Sequence, residues 1–221
     1  MFVLKKLSVN SKQCRLIFTK WRKYFSVEVL LITALEKIIQ QHRDAVEKSF
    51  AADQMKALDT VSQLIFGAFS KGRKLLICGN GGSAADAQHI AAEFIARFKL
   101  ERKSLPAIAL TTDTSILTAI ANDYCYERVF SRQVEGLGEE GDVLIGISTS
   151  GNSKNVLEAV LQAKKQGVIT VGLTGQSGGE LAKICDYCYK AQTQLTPHIQ
   201  EVHITALHAI SEVVEQKLFA S

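Results

Sequence analysis

Proline is nearly absent from this chain of 221 residues, Pro106 and Pro197 being the only two, and no stretch is of low complexity. A flexible linker between domains is therefore not expected, and no internal repeat suggests a solenoid. Long apolar runs are also missing: the longest, around Val27 to Leu35, is broken by Glu28 and is too short to cross a bilayer. Cysteine is sparse and odd in number. Cys14, Cys78, Cys125, Cys185 and Cys188 are scattered, which argues against a disulfide framework and for a reducing, cytoplasmic setting. Cys185-Asp186-Tyr187-Cys188 has redox spacing, but it falls at the start of an expected strand rather than at a helix N-terminus. It reads as two small, half-buried residues.

Acidic residues are missing from the first 25 positions, which hold seven basic ones: Lys5, Lys6, Lys12, Arg15, Lys20, Arg22 and Lys23. Of 26 basic residues, 19 remain beyond that leader against 22 acidic ones, so the body is slightly acidic. A nucleic-acid-binding body would show the reverse. The leader also lacks the apolar core and small-residue cleavage site of a secretory signal. Residues 1–27 are expected to form a basic extension outside the fold, without a function of its own. Residues 28–221 are expected to form one domain that includes two N-terminal helices.

What the chain does contain is alternation. Apolar positions at helical spacing predict helices over 28–48 and 52–70. Thereafter short apolar runs at 74–78, 106–110, 142–147, 169–173 and 185–190 read as strands. Helical patterns at 84–98, 113–121, 126–136, 153–166, 178–184 and 198–219 fill the gaps. The expected fold is α/β: a parallel five-stranded sheet flanked by helices on both faces, since its strands are continuously apolar rather than alternating.

Two of the strand-to-helix turns carry chemistry. Ser148-Thr149-Ser150-Gly151-Asn152-Ser153 packs four hydroxyls around a glycine, where one would suffice to cap a helix. Unpaired N–H groups at a helix start, ringed by neutral donors, suit an anion. Gly79-Asn80-Gly81-Gly82-Ser83 is a second such turn. It lacks the Gly-x-Gly-x-x-Gly pattern and the lysine of a P-loop, so a monophosphate on a small molecule fits better than a dinucleotide or nucleoside triphosphate. In a parallel sheet both turns lie on one edge and can face one ligand.

The helix after the second turn carries Asp86, His89 and Glu93, the last two sharing a face at i, i+4, where both could grip one metal or one substrate. The final helix carries Gln200, Glu201, His203 and His208. Spacing would pair Glu201 with His208 or Gln200 with His203, and it leaves the choice open. Asn122-Asp123 reads locally as a helix stop.

Taken together, Cys78 to Ser83, Asp86 to His89 with Glu93, Asn122-Asp123, Gly146 to Ser153, and Ile199-Gln200-Glu201 with His208 resemble the phosphoheptose isomerases of the sugar isomerase (SIS) domain family, from about residue 30 to 219. The resemblance implies one zinc per subunit, with ligands at His89, Glu93, Gln200 and His208. It implies substrate contacts at Asn80, Gly81, Gly82, Ser83, Glu93, Asn122, Asp123, Ser148, Thr149, Ser150, Ser153 and Gln200, with Glu93 as base and His208 as acid. A homotetramer, with the N-terminal helices used in assembly, is also implied. So is conversion of sedoheptulose 7-phosphate, a phosphorylated seven-carbon sugar, to D-glycero-D-manno-heptose 7-phosphate through an enediol. The alternative is a non-enzymatic SIS module that binds a replication initiator or senses a sugar phosphate; the joint presence of Glu93 and His208 favours the enzyme.

Overall fold

The computed structural model describes residues 31–220, so the expectation for residues 1–27 lies outside the described residues. The chain divides into two units, one ending at Asp44 and one beginning at Ala45. Helix α1 covers residues 31–49. Within the first unit it presents Leu31, Ile32, Leu35, Ile38 and Ile39 at 49–61% exposure.

The second unit holds the sheet. Strands β1 (Leu75–Gly79), β2 (Ala107–Ala109), β3 (Val143–Ser148), β4 (Ile169–Thr174) and β5 (Tyr187–Lys190) are all parallel, in the order β2-β1-β3-β4-β5. Helices α2 (Ala52–Ser70), α3 (Gly82–Ile95) and α8 (Thr196–Phe219) pack on one face, against Leu75, Ile77, Ile145 and Leu173. Helices α5 (Ser131–Leu137), α6 (Lys154–Lys165) and α7 (Leu181–Ile184) cover the other, against Leu76 and Leu144. Continuous apolar runs are required by this arrangement because β1 and β3 are buried along their whole length. Each such Leu, Ile or Val contributes about 1.5–3 kcal/mol when fully buried. Among the described residues no helix is long and apolar enough to cross a membrane.

Several boundaries differ from the expectation. Residues 126–136 are not one helix: a 3-10 turn at Tyr126–Arg128 is followed by α5, with Val129 and Phe130 buried between them. Helix α4 runs Thr114–Asp123, so Asn122 and Asp123 form its last turn rather than following it. Helix α3 starts at Gly82, before the expected Ala84, and Cys185 ends α7 while β5 begins at Tyr187.

The sheet has two different edges. At its amino edge Asp142, fully buried, accepts the N–H groups of Lys74 and Glu139 and pairs with the Lys74 ammonium at 2.8 Å. Asp186 accepts the N–H and hydroxyl of Thr170 and the ammonium of Lys164. Burial works against the charge of Asp186, but Lys164 and Thr170 outweigh it and hold the carboxyl below its ordinary range. At the carboxyl edge β1 pairs with β3 in the register Gly79↔Ile147, which brings their two loops side by side. Strand order reverses here, β2 lying on one side of β1 and β3 on the other. A crevice is the geometric result.

Candidate active site

The two loops are joined by amides. Asn80 Nδ2 donates to Asn155 Oδ1 at 2.9 Å, Asn155 Nδ2 donates back to Asn80 Oδ1 at 2.8 Å, and the Tyr126 hydroxyl donates to the same Asn80 oxygen at 3.1 Å. Asn155 and Tyr126 were not legible as site residues, because their partner lies 75 and 46 positions away. In the β3–α6 loop Ser148 Oγ donates to Ser153 Oγ at 2.9 Å, and Ser150 Oγ accepts the N–H of Asn152. Gly151 is required: its φ is +69°, and a side chain there would collide with the carbonyl of Gly178. Thr149, Ser150 and Asn152 line a cleft of about 450 Å³ with Gln176, Ser177 and Thr193. That is the size of a small-ligand site, and none of its lining side chains is charged.

Helices α3 and α8 bring together residues that the sequence holds far apart. His208 Nε2 lies 2.9 Å from His89 Nε2, and His89 Nε2 lies 3.1 Å from Glu93 Oε1. The two imidazoles meet edge to face at 4.9 Å, and the Phe98 ring lies 5.8 Å from His208. Burial, reinforced by His89 and opposed by Glu93, lowers the pKa of His208 below its ordinary value. Asp86 stands one turn before His89. Burial raises its carboxyl to about 6, with His89 partly opposing, and its buried Oδ2 has no hydrogen-bond partner.

Ligand atoms of His89, Glu93 and His208 all lie within 4.8 Å of one another. Two imidazole nitrogens and a carboxylate oxygen form a donor set that suits zinc with a position left open, and the orphaned Asp86 oxygen beside them favours a nearby cation. Gln200 lies eight residues before His208, about 12 Å along the helix, and a Cβ on Gly82 would collide with its amide nitrogen. The first turns of α3 and α8 thus touch through Gly82 and Gln200, and His89 and His208 meet two turns later. Spacing alone left His203 and Glu201 open, and the structure separates them from the trio. His203 is fully buried, its Nε2 3.0 Å from the carbonyl of Thr174, and burial lowers its pKa to about 4 despite that carbonyl. Glu201 lies with His198 at 3.3 Å. Asn122 and Asp123 bond to each other on exposed ground at the end of α4.

Residues 39–175 match the model of the SIS domain. A phosphoheptose isomerase of Aneurinibacillus thermoaerophilus is 52% identical over 176 residues, 79% of this chain and 89% of its own. The phosphoheptose isomerase of Roseiflexus sp. (strain RS-1) is 52% identical over 202 residues, 91% and 95% of the two chains. The chain belongs to the phosphoheptose isomerases of the SIS domain family. The solved structure of phosphoheptose isomerase from Neisseria gonorrhoeae matches with a TM-score of 0.80 at 40% identity, covering 84% of this chain and 99% of that one. Membership favours the enzyme over the binding module, and the open-edged α/β sheet is the fold expected of a SIS domain.

Proposed function

We propose that this isomerase interconverts sedoheptulose 7-phosphate and D-glycero-D-manno-heptose 7-phosphate, with its chemistry on Glu93 and His208. The observation that carries the reading is the meeting of His89, Glu93 and His208 from two helices, of which α3 leads out of the glycine turn beside the serine loop. The Ser148–Ser153 loop, with the glycine turn of Asn80 to Ser83 beside it, takes the phosphate and fixes the sugar, so binding energy orients the reacting carbons. Gln200 contacts the sugar from the start of α8, and Asn122 and Asp123 contact it from the end of α4.

Glu93 removes the proton from C1 of the ketose, that electron pair becomes the C1–C2 double bond, and the carbonyl pair moves onto O2 to give an enediol. His208 returns a proton at C2, the hydroxyl proton of O1 passes to O2, and the proton held by Glu93 passes through solvent back to His208, so the sugar keeps its atoms and both residues are reset. His89, Glu93 and His208 would hold one zinc per subunit, which when bound supplies Lewis-acid polarisation of the sugar oxygens. Glu93 can serve in both roles because it has two oxygens: Oε1 faces His89, and Oε2 is left for the proton. Gln200, whose amide lies against Gly82, would complete the ligand set.

The apolar row on α1 supports assembly, which we place at a homotetramer. Four free cysteines among the described residues support a reducing, cytoplasmic setting. The test is incubation of zinc-replete protein with sedoheptulose 7-phosphate, followed by NMR. Appearance of the aldose is expected; a folded, metal-loaded sample without turnover would sink the reading. Chelation should abolish turnover and lower the melting temperature, and His208→Ala should bind no zinc by metal analysis while His203→Ala still binds it.

A further inference from the structure

We infer that Arg102 and Glu215 are positioning residues that hold the base, Glu93, at a fixed distance from His208; the inference rests on the reading of Glu93 given above. Helix α3 ends at Ile95, so the carbonyls of its last turn lack partners within their own helix. Arg102 supplies them. Its Nη2 donates to the carbonyl of Glu93 at 2.8 Å and its Nη1 to that of Phe94 at 2.7 Å, placing a cation where the helix dipole favours one. Arg102 Nε in turn donates to Glu215 Oε1 at 2.9 Å. The Glu215 carboxylate also accepts the N–H groups of Phe98, Lys99 and Leu100 at 3.0, 2.7 and 2.9 Å. Burial works against that charge, but the three N–H groups and the guanidinium hold the carboxyl below its ordinary range.

The placement gives the clamp its meaning. Glu215 stands seven residues after His208 on the same helix, two turns and about 10 Å along the axis. Arg102 therefore ties the backbone of Glu93 itself to the helix that carries His208. The gripped segment includes Phe98, whose ring lies 5.8 Å from His208. Both side chains of the clamp are 1% exposed, so neither touches substrate and any effect on catalysis passes through the residues they hold. The serine loop makes no bond to the clamp, which separates phosphate binding from the alignment of the base.

The experiment is a cycle. Arg102→Lys keeps the charge but loses the planar fork that reaches two carbonyls and a carboxylate at once. It is measured with substrate well below the melting temperature, in the wild-type and in the Glu93→Gln background. The expected result is a fall in kcat on the order of tenfold to a hundredfold, the scale of a small misplacement of a reacting group. KM should stay unchanged, and in the Glu93→Gln background Arg102→Lys should cause no further loss, because its influence runs through that carboxylate. A lowered melting temperature with full kcat, or an undiminished loss in the Glu93→Gln background, overturns the inference. Glu215→Asp, which retracts the carboxylate by one methylene, carries the same cycle if Arg102→Lys does not fold. A wild-type rate in Glu93→Gln overturns the base reading and this inference with it, whereas an inactive Glu93→Gln beside a fully active Arg102→Lys overturns the inference alone.

Discussion

The amino edge of the sheet and the contact of α3 with α8 use the same kinds of polar group to opposite ends. At the amino edge every carboxylate that matters is saturated: Asp142 accepts two backbone N–H groups, Asp186 accepts the N–H and hydroxyl of Thr170, and each takes an ammonium. Between α3 and α8 the groups are held but not satisfied. Asp86 keeps a buried oxygen without a partner, and two imidazole nitrogens face each other across 2.9 Å. The lesson is a division of labour: stability resides where polar groups are fully paired, and chemistry where they are left short of partners.

The largest effect should come from the unsatisfied contact of α3 with α8. Glu93→Gln keeps the shape and removes the carboxylate, so turnover should fall by about 10²–10⁴-fold in protein that still folds. A rate near wild type in a steady-state assay would break the comparison at once. Asp142→Ala tests the amino edge. It takes the acceptor from the N–H groups of Lys74 and Glu139 while the Lys74 ammonium keeps Glu139, at a cost of about 1–3 kcal/mol by denaturant titration, with KM unchanged in whatever fraction folds.

His203 sharpens the contrast from within α8, five residues from His208. Below about pH 6.5 the unfolded imidazole takes up a proton that the buried one refuses until about pH 4. The unfolded state then binds more protons, so stability falls as pH drops through that window, by about 3 kcal/mol in all. His203→Gln should flatten the slope of stability between pH 6.5 and 4; an unchanged slope would remove His203 as its source. Ser150→Ala should have the smallest effect, a rise in KM for the phosphorylated sugar corresponding to about 0.5–1.5 kcal/mol for one neutral hydrogen bond. An unchanged KM would take Ser150 out of the anion loop.

Much of this was legible in the sequence, for identifiable reasons. Buried parallel strands must be apolar throughout, so Leu75-Leu76-Ile77 and Val143 to Ile147 announced themselves, and glycine and serine marked the turns that follow. His89 and Glu93 were legible as a pair because a helix repeats every four residues or so. The partnership of His89 with His208 was not, since 119 residues separate them and only the packing of α3 on α8 decides which face of α8 looks inward. For the same reason spacing could not choose between His203 and His208. The clamp of Arg102 and Glu215, 113 positions apart, and the amide pair of Asn80 and Asn155 left no local trace. Helix α3 began earlier than expected because Gly82, a poor helix former, is the residue that lets Gln200 approach.

The packing of α8 on α3 also bears on the order in which the protein is made. Half of the reacting set, His208 with Gln200, arrives on the last described helix, after all five strands have left the ribosome. A nascent chain can close its β1–β3 pair and shape both anion loops while still lacking an acid to face Glu93. Substrate held by such a chain would be bound and left unchanged, so turnover reports that synthesis has passed α8 and that this helix has docked.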